Sequence, residues 1–355
     1  MKVSFIGNFE DPGFEGLVSI SLKIKAYLEK KGFEIDFNDF DRDLLHIHSN
    51  GFLESKKNKK YGEKCIYSLY SNLNQSFIGT FRYYLEYLLF YYDGKNKDFR
   101  LSVVLKNAIF SVMSSLIPLY VKKKKMSQMR KVVLPNDFIS KKLGLENSEI
   151  IKFGIDVNKF RKLRKDETLI KNKKLVVAYF GHNTPLKGIP DFLKVADIMK
   201  NESNPNIEFR LYVSNHSPKV DIYAVKHNVK VYGFIKDIVK EYDECDIVIL
   251  PYRSDVASIG VPLVLIEAMA CEKAIITTNL EYIKEVIGDC GICVEVYKPK
   301  EIVDAILKLN EDIVLRREFG MKARERVIKY YNQEKMFEEY KKLYVNFSSN
   351  SLKFH

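Results

Sequence analysis

The chain has 355 residues, with 58 Lys and Arg against 46 Asp and Glu, for a formal net charge of +12. At about 100–200 residues per domain, this length predicts two domains. With 46% hydrophobic residues, 29% charged residues and five cysteines, the composition excludes a disordered, collagen-like or disulfide-stapled chain. So few cysteines favour a reducing compartment.

The residues from Met1 to Gly7 lack the shape of a signal peptide and are expected to open a strand at Lys2–Ile6. Leu17, Ile20, Ile24 and Leu28 then recur at helical spacing, and Gly32 ends that helix. Strands are expected at Glu34–Phe37, Leu44–His48, Cys65–Tyr70, Ala108–Met113 and Lys131–Leu134. Phe81–Tyr92 is aromatic on nearly every helical face, which suits core and also suits docking on lipid. The longest apolar window, Asn107–Val121, has 15 residues with Pro118 inside, too short for a membrane span of about 20. Residues 147–160 close this first series, and the polar stretch Lys159–Lys174 is the best linker candidate.

A second series follows. Leu175–Phe180 is continuously apolar, as in a central parallel strand. Phe192, Val195, Ala196 and Met199 mark a helix, and Ile207, Phe209, Leu211 and Val213 alternate as a strand. Val229–Tyr232, Asp246–Leu250, Ala274–Thr277 and Ile292–Val296 are further short strands, with a helix over Pro262–Cys271. The tail from Arg316 to Leu343 is expected to be helical and charged. Two β-α series imply two doubly wound α/β sheets with a cleft between them.

Two segments carry the chemistry. Phe180-Gly181-His182-Asn183-Thr184-Pro185-Leu186-Lys187-Gly188 runs from an apolar strand into a helix. Ligands of open α/β sheets bind at such strand ends, where Lys187 is placed to meet a diphosphate. The run from Ser258 to Cys271 follows the strand Asp246–Leu250. Gly260 lets a backbone approach a ligand, and Pro262 suits a first helical turn. The free N–H groups of that turn suit phosphate, and Glu267 suits ribose hydroxyls. An ordinary helix N-terminus with a surface Glu fits the same residues equally well.

Together these segments resemble the family-4 glycosyltransferases, retaining nucleotide-sugar enzymes of the GT-B fold. The resemblance rests on Lys187-Gly188, on the G-x-P-L-x-x-x-E-A-M-A run Gly260–Ala270, and on Asp246–Pro251. Val231–Ile235, Phe153–Phe160 and Asp289–Val294 support it in the family's order. It covers the C-terminal half well and the N-terminal half in outline.

The resemblance implies two Rossmann-like domains facing a central cleft. An acceptor-side domain is expected over residues 1–157, a linker over 158–172, and a nucleotide-sugar domain over 173–330. A helix over 331–355 is expected to pack back on the first domain. The resemblance implies that Lys187 neutralises the diphosphate and Glu267 binds ribose. Gly181, His182, Ile259, Gly260, Val261, Pro262 and Leu263 would line the donor, and the Phe234 backbone would contact the base. Gly13, Gly16, Tyr70 and Asn72 fall on the acceptor side. The family works without a metal, so the expected cofactor is none beyond the nucleotide-sugar substrate. The implied activity is hexosyl transfer with retention to a glycan or lipid-linked acceptor, in the cytoplasm or at the membrane's inner face.

Three positions depart from the family. Ile259 stands where a second Glu is usual, His182 where an Arg is usual, and Tyr70, Ser71 and Asn72 where a His is usual. They leave the donor sugar open and support a second reading, a non-catalytic nucleotide-sugar-binding partner subunit.

The charge is uneven, with 26 basic and 18 acidic residues within 1–160, so that +8 of the +12 lies there. The surplus gathers at Lys56–Lys60 and at Lys122–Lys125 with Arg130 and Lys131. Such a balance suits nucleic acid, an anionic membrane or a phosphorylated substrate, and equally a solvated surface. No nucleic-acid motif accompanies it, so the expected partners are a nucleotide sugar, the acceptor and an anionic membrane. Other signals carry less. Cys290-x-x-Cys293 has no second pair for zinc, and Asp39–Asp43 reads as a charged turn. His46 and His48 share one strand face, where packed or hydrogen-bonded roles are commoner than a metal pair.

Overall fold

A computed structural model describes residues 2–6, 15–39, 41–47, 64–69, 119–163, 174–201, 206–213, 224, 228–233, 235–254 and 260–351. The first series contains β1 (Lys2–Ile6), α1 (Glu15–Lys30), β2 (Glu34–Phe37), β3 (Leu44–Ile47), β4 (Cys65–Ser68), α2 (Leu119–Ser127), β5 (Lys131–Leu134), α3 (Asp137–Leu143) and β6 (Ser148–Ile150). Its six strands form one parallel sheet in the order β2-β1-β3-β4-β5-β6.

The second series contains β7 (Leu175–Gly181), α4 (Ile189–Asn201), β8 (Ile207–Val213), β9 (Val229–Tyr232), α5 (Ile238–Glu244), β10 (Ile247–Leu250) and α6 (Leu263–Ala270). It continues with β11 (Ala274–Thr278), α7 (Glu281–Ile287), β12 (Ile292–Val294), α8 (Pro299–Glu311), α9 (Ile313–Tyr330) and α10 (Gln333–Ser351). Its six strands are also parallel, in the order β12-β11-β10-β7-β8-β9. The expected pair of doubly wound sheets is therefore present.

The strand order decides where ligands can go. From β7 the chain builds outward to β8 and β9, then returns to the other side for β10, β11 and β12. The reversal leaves a crevice at the carboxyl ends of β7 and β10, the usual ligand position in an open α/β sheet. The strands β7 and β10 are buried on both faces, which explains their unbroken apolar runs.

The C-terminal tail, expected to be helical over Arg316–Leu343, forms the two helices α9 and α10. It breaks at Tyr331–Asn332, where Asn332 bridges Ile155. Ile155 N–H donates to Tyr331 O at 2.8 Å, and Gln333 N–H donates to Ile155 O at 3.0 Å. This pairing with a distant strand segment overrides continued helix. A Cβ on Gly154 would lie 2.5 Å from the Asn332 carbonyl carbon, so the two backbones touch there.

Beyond the break, α10 lies on α1, with the Tyr27 and Phe337 rings stacked at 4.9 Å. Its Tyr344 hydroxyl bonds the buried His46 Nδ1, while His46 Nε2 pairs with Ser68 Oγ at 2.6 Å. Thus His46 ties β3, β4 and α10 together through hydroxyl groups. His48 lies outside the described residues.

Further differences are local. Pro262 is the N-cap residue of α6 rather than part of its first turn. Lys122 is buried, so the four lysines of α2 do not form one exposed run; Lys123 and Lys124 are exposed. Leu69 follows β4 outside the strand. The expected strand at Ala108–Met113 and the aromatic stretch Phe81–Tyr92 lie outside the described residues, as do Lys56–Lys60.

Candidate active site

The two motif segments leave adjacent strands at the reversal point. After β7 the chain makes a 3-10 turn, Pro185–Lys187, ended by Gly188 in a left-handed conformation with φ +87°. A Cβ on Gly188 would lie 1.9 Å from the Pro251 carbonyl oxygen, so the backbone after β7 presses on the backbone after β10. Arg253 N–H donates to Leu186 O at 2.9 Å. The Arg253 guanidinium then grips the buried Asp191 carboxylate at 2.7 and 2.8 Å. Such a two-pronged ion pair, shielded from water, fixes geometry as well as adding energy. Thr278 Oγ1 donates to Tyr252 O at 2.6 Å and Thr277 Oγ1 to Leu250 O at 2.8 Å, so β11 braces the same loop.

Lys187 stands at the centre of this frame. It is half-buried, with its Nζ 5.1 Å from the centroid of the buried Tyr252 ring. Desolvation pushes its ammonium down to about 8. No carboxylate pairs with it among the described residues, and an aromatic face offers a cation less than a carboxylate would. His182 is exposed on the same loop.

Glu267 lies in the second turn of α6 and is half-buried. Desolvation pushes its carboxyl above the usual range, against the lowering effects of the Tyr242 hydroxyl and the Lys159 and Lys23 charges. The Tyr242 hydroxyl donates to Glu267 Oε2 at 3.3 Å. Tyr242 itself packs on the Phe180 ring at 4.3 Å, and Phe180 stacks on Tyr212 at 4.4 Å. Tyr252 faces Lys187, and its hydroxyl is pushed well above its ordinary range, first by burial and least by the Glu267 charge.

The structure places Gly181 at the end of β7, His182 and Lys187 on the turn that follows it, and Gly260, Val261, Pro262, Leu263 and Glu267 on the loop and helix that follow β10. Gly16 lies in α1. Gly13, Tyr70, Asn72, Phe234 and Ile259 lie outside the described residues. Sequence reasoning missed Tyr242, Tyr252, Arg253 and Asp191. The only local signal was that Tyr252 and Arg253 directly follow a buried strand.

Chemically, the frame presents a partly desolvated cation, a helix N-terminus and a carboxylate beside it. That set suits a nucleoside diphosphate: N–H groups and cation for phosphate, carboxylate for hydroxyls. Among the described residues, no cluster of three His, Cys, Asp or Glu could hold a metal ion.

Comparison with known proteins agrees in place. Residues 174–312 match the family model described as glycosyl transferases group 1. This stretch of the chain, from β7 to the end of α8, is thus similar to the group 1 glycosyltransferase domain. The chain is 28% identical over 212 residues to an N-acetyl-alpha-D-glucosaminyl L-malate synthase of Bacillus anthracis, covering 59% of this chain and 48% of that one. It is 28% identical over 218 residues to an N,N'-diacetylbacillosaminyl-diphospho-undecaprenol alpha-1,3-N-acetylgalactosaminyltransferase of Campylobacter jejuni, covering 57% and 56%. These matches span about half the length of the curated relatives. A solved structure of Anabaena HepE in complex with UDP has a TM-score of 0.68 at 14% identity, covering 98% of this chain and 100% of that one. The two facing sheets are the GT-B fold of this group.

Proposed function

We propose that this chain moves a sugar from a nucleoside-diphosphate donor to a glycan or lipid-linked acceptor with retention. The observation that carries this reading is the Lys187-Gly188 turn after β7, pressed against Pro251 of the loop that leads from β10 to α6. The bond between the sugar's C1 and the diphosphate oxygen breaks, and its electron pair leaves with the diphosphate. The acceptor oxygen bonds to C1, and its proton is lost to the departing phosphate. Charge grows on the diphosphate, so Lys187 and the free N–H groups of α6 stabilise the transition state more than the ground state. Glu267 holds the ribose hydroxyls. In this reading Lys187 supplies the counter-charge, so transfer persists in a chelator.

Retention and the acceptor class come from the family resemblance. The UDP of the HepE complex and the undecaprenol-linked name of the Campylobacter relative support a uridine nucleotide and a lipid-linked acceptor. For a lipid-linked acceptor we place the chain at the inner face of a membrane. Exposed Lys123 and Lys124 of α2, beside exposed Lys141 and Lys142 of α3, suit anionic headgroups. Among the described residues, no helix is long and apolar enough to cross a membrane.

A thermal-shift panel of nucleotides and nucleotide sugars tests the donor, because a ligand that binds only the native state raises its melting temperature. Turnover with the best donor, followed by NMR of the product anomer, tests the reaction. Lys187→Ala and Glu267→Ala should each abolish transfer, and unchanged turnover in both would overturn the site. Affinity without turnover across acceptors would favour the non-catalytic partner reading. Co-sedimentation with phosphatidylglycerol vesicles tests the membrane contact, which neutralising Lys123, Lys124, Lys141 and Lys142 should remove.

A further inference from the structure

Gly260, the first residue of the α6 motif, has a role besides leaving room for a ligand. Its carbonyl oxygen accepts a hydrogen bond from Asn136 Nδ2 at 2.8 Å. Asn136 belongs to the first sheet's half of the molecule, 124 residues away, and is 1% exposed. Its other side-chain atom, Oδ1, accepts from Ile139 N–H at 2.8 Å and so caps α3. One buried side chain thus joins the helix start of one half to the donor loop of the other. A Cβ on Gly260 would lie 2.7 Å from Pro135 Cγ and 3.0 Å from Asn136 Nδ2. The glycine is required by the approach of the two halves.

A second contact lies beside the first. Glu285 of α7 accepts from the Asp137 and Phe138 N–H groups at 2.9 and 2.8 Å. Lys152 bridges Asp137 at 2.8 Å and Glu285 at 3.4 Å. The N-terminal turn of α3 is therefore satisfied partly by its own half, through Asn136, and partly by the other, through Glu285.

We propose that Asn136 is a positioning residue for transfer, setting the Gly260–Val261 peptide of the donor loop only when the two halves are together. The reasoning rests on the donor site proposed above. A peptide is planar, so a carbonyl held by Asn136 also fixes the direction of the Val261 N–H. That peptide lies two residues before the first turn of α6, whose N–H groups face the diphosphate in the proposed reaction. Closure of the halves and alignment of the loop become one event. Nucleotide affinity, which needs only the second half, is largely independent of Asn136, whereas turnover depends on it.

The test separates the bond to Gly260 from the cap on α3. Asp and Ser cap helices about as well as Asn, so Asn136→Asp and Asn136→Ser keep the contact to Ile139 N–H. Aspartate has no donor for the Gly260 carbonyl, and serine is too short to reach it. Amide hydrogen exchange across residues 260–270 should quicken in both variants without any ligand. kcat should fall about fivefold or more, the scale of one hydrogen bond, while the UDP affinity measured by calorimetry stays within about twofold. Unchanged exchange and kcat would overturn the proposal, as would equal losses of kcat and UDP affinity. If the unaltered protein binds no nucleotide, the proposed function fails, while the exchange difference still tests the contact.

Discussion

The Tyr242 hydroxyl holds Glu267 Oε2 at 3.3 Å from inside a wall of aromatic rings. Tyr242 is fully buried, and its own hydroxyl is pushed well above its ordinary range, first by burial and then by the Glu267 charge. It therefore remains a neutral donor, and its bond lowers the Glu267 carboxyl against the larger upward push of desolvation.

The first prediction follows from that bond. Tyr242→Phe removes a lowering influence, so the Glu267 carboxyl rises further. A folded-state value above the unfolded one means the group's stability contribution is present at low pH and lost as pH rises through the folded value. The variant should lose stability more steeply from about pH 4.5 upward than the parent. UDP affinity should fall about fivefold where the carboxyl is protonated and recover as pH rises and the carboxylate ionises. Calorimetry with UDP and its 2′-deoxy form reads the effect, which should be smaller for the deoxy ligand.

Lys187 gives the opposite sign. Desolvation lowers its ammonium to about 8, so the folded chain binds fewer protons than the unfolded chain between about pH 8 and 10.5. Stability carries a penalty below that window and gains as pH rises through it. Lys187→Met should therefore raise the ligand-free stability at pH 7 by roughly 1–3 kcal/mol and flatten this alkaline gain. The same variant should lose the thermal shift given by UDP. In the parent, UDP affinity should fall as pH passes about 8, with proton uptake on binding in calorimetry across buffers. A destabilised, fully UDP-responsive variant would contradict this account.

Gly188 is predicted to tolerate no side chain. Its φ of +87° and the 1.9 Å approach of Pro251 O oppose even a methyl group. Gly188→Ala should cost about 2 kcal/mol or more in urea unfolding followed by circular dichroism. Because the loops after β7 and β10 must part to admit the methyl group, UDP-induced stabilisation should shrink as well. A variant within about 0.5 kcal/mol of the parent would show that the loops move apart freely.

The His46 cluster sets how firmly α10 is held. Tyr344→Phe leaves a buried ring nitrogen without its hydroxyl partner, for an expected loss of about 1–3 kcal/mol. Ser68→Ala disturbs the other nitrogen in the same way. A double-mutant cycle between His46→Leu and Tyr344→Phe should show coupling of roughly 0.5–3 kcal/mol. Additive losses would mean that α10 is held by its apolar contacts alone.

Local chemistry made much of this legible in advance. Strands such as Leu175–Gly181 are short, apolar and followed by turn residues, so their order along the chain reads as two β-α series. Lys187-Gly188 and Gly260–Ala270 are strand-to-helix turns, whose chemistry is contained within a dozen residues. The reason for the tail break was not legible, because Asn332 pairs with Ile155, which is distant in the chain. His46 showed only that it shared a strand face with His48; its hydroxyl partners come from Ser68 and Tyr344, distant in the chain.

The amino-acid sequence by itself determined two α/β halves, a strand-to-helix turn at Lys187-Gly188 and a helix that follows Pro262. Each follows from periodicity or from residues adjacent along the chain. Tertiary structure alone decided that Gly188 must touch Pro251, that Tyr242 must hold Glu267, and that Asn136 must hold Gly260. Hydrogen bonds and close packing act over a few ångströms. Which groups come that close is set by the order of strands in the sheet and by the path of α9 and α10 back to the first half.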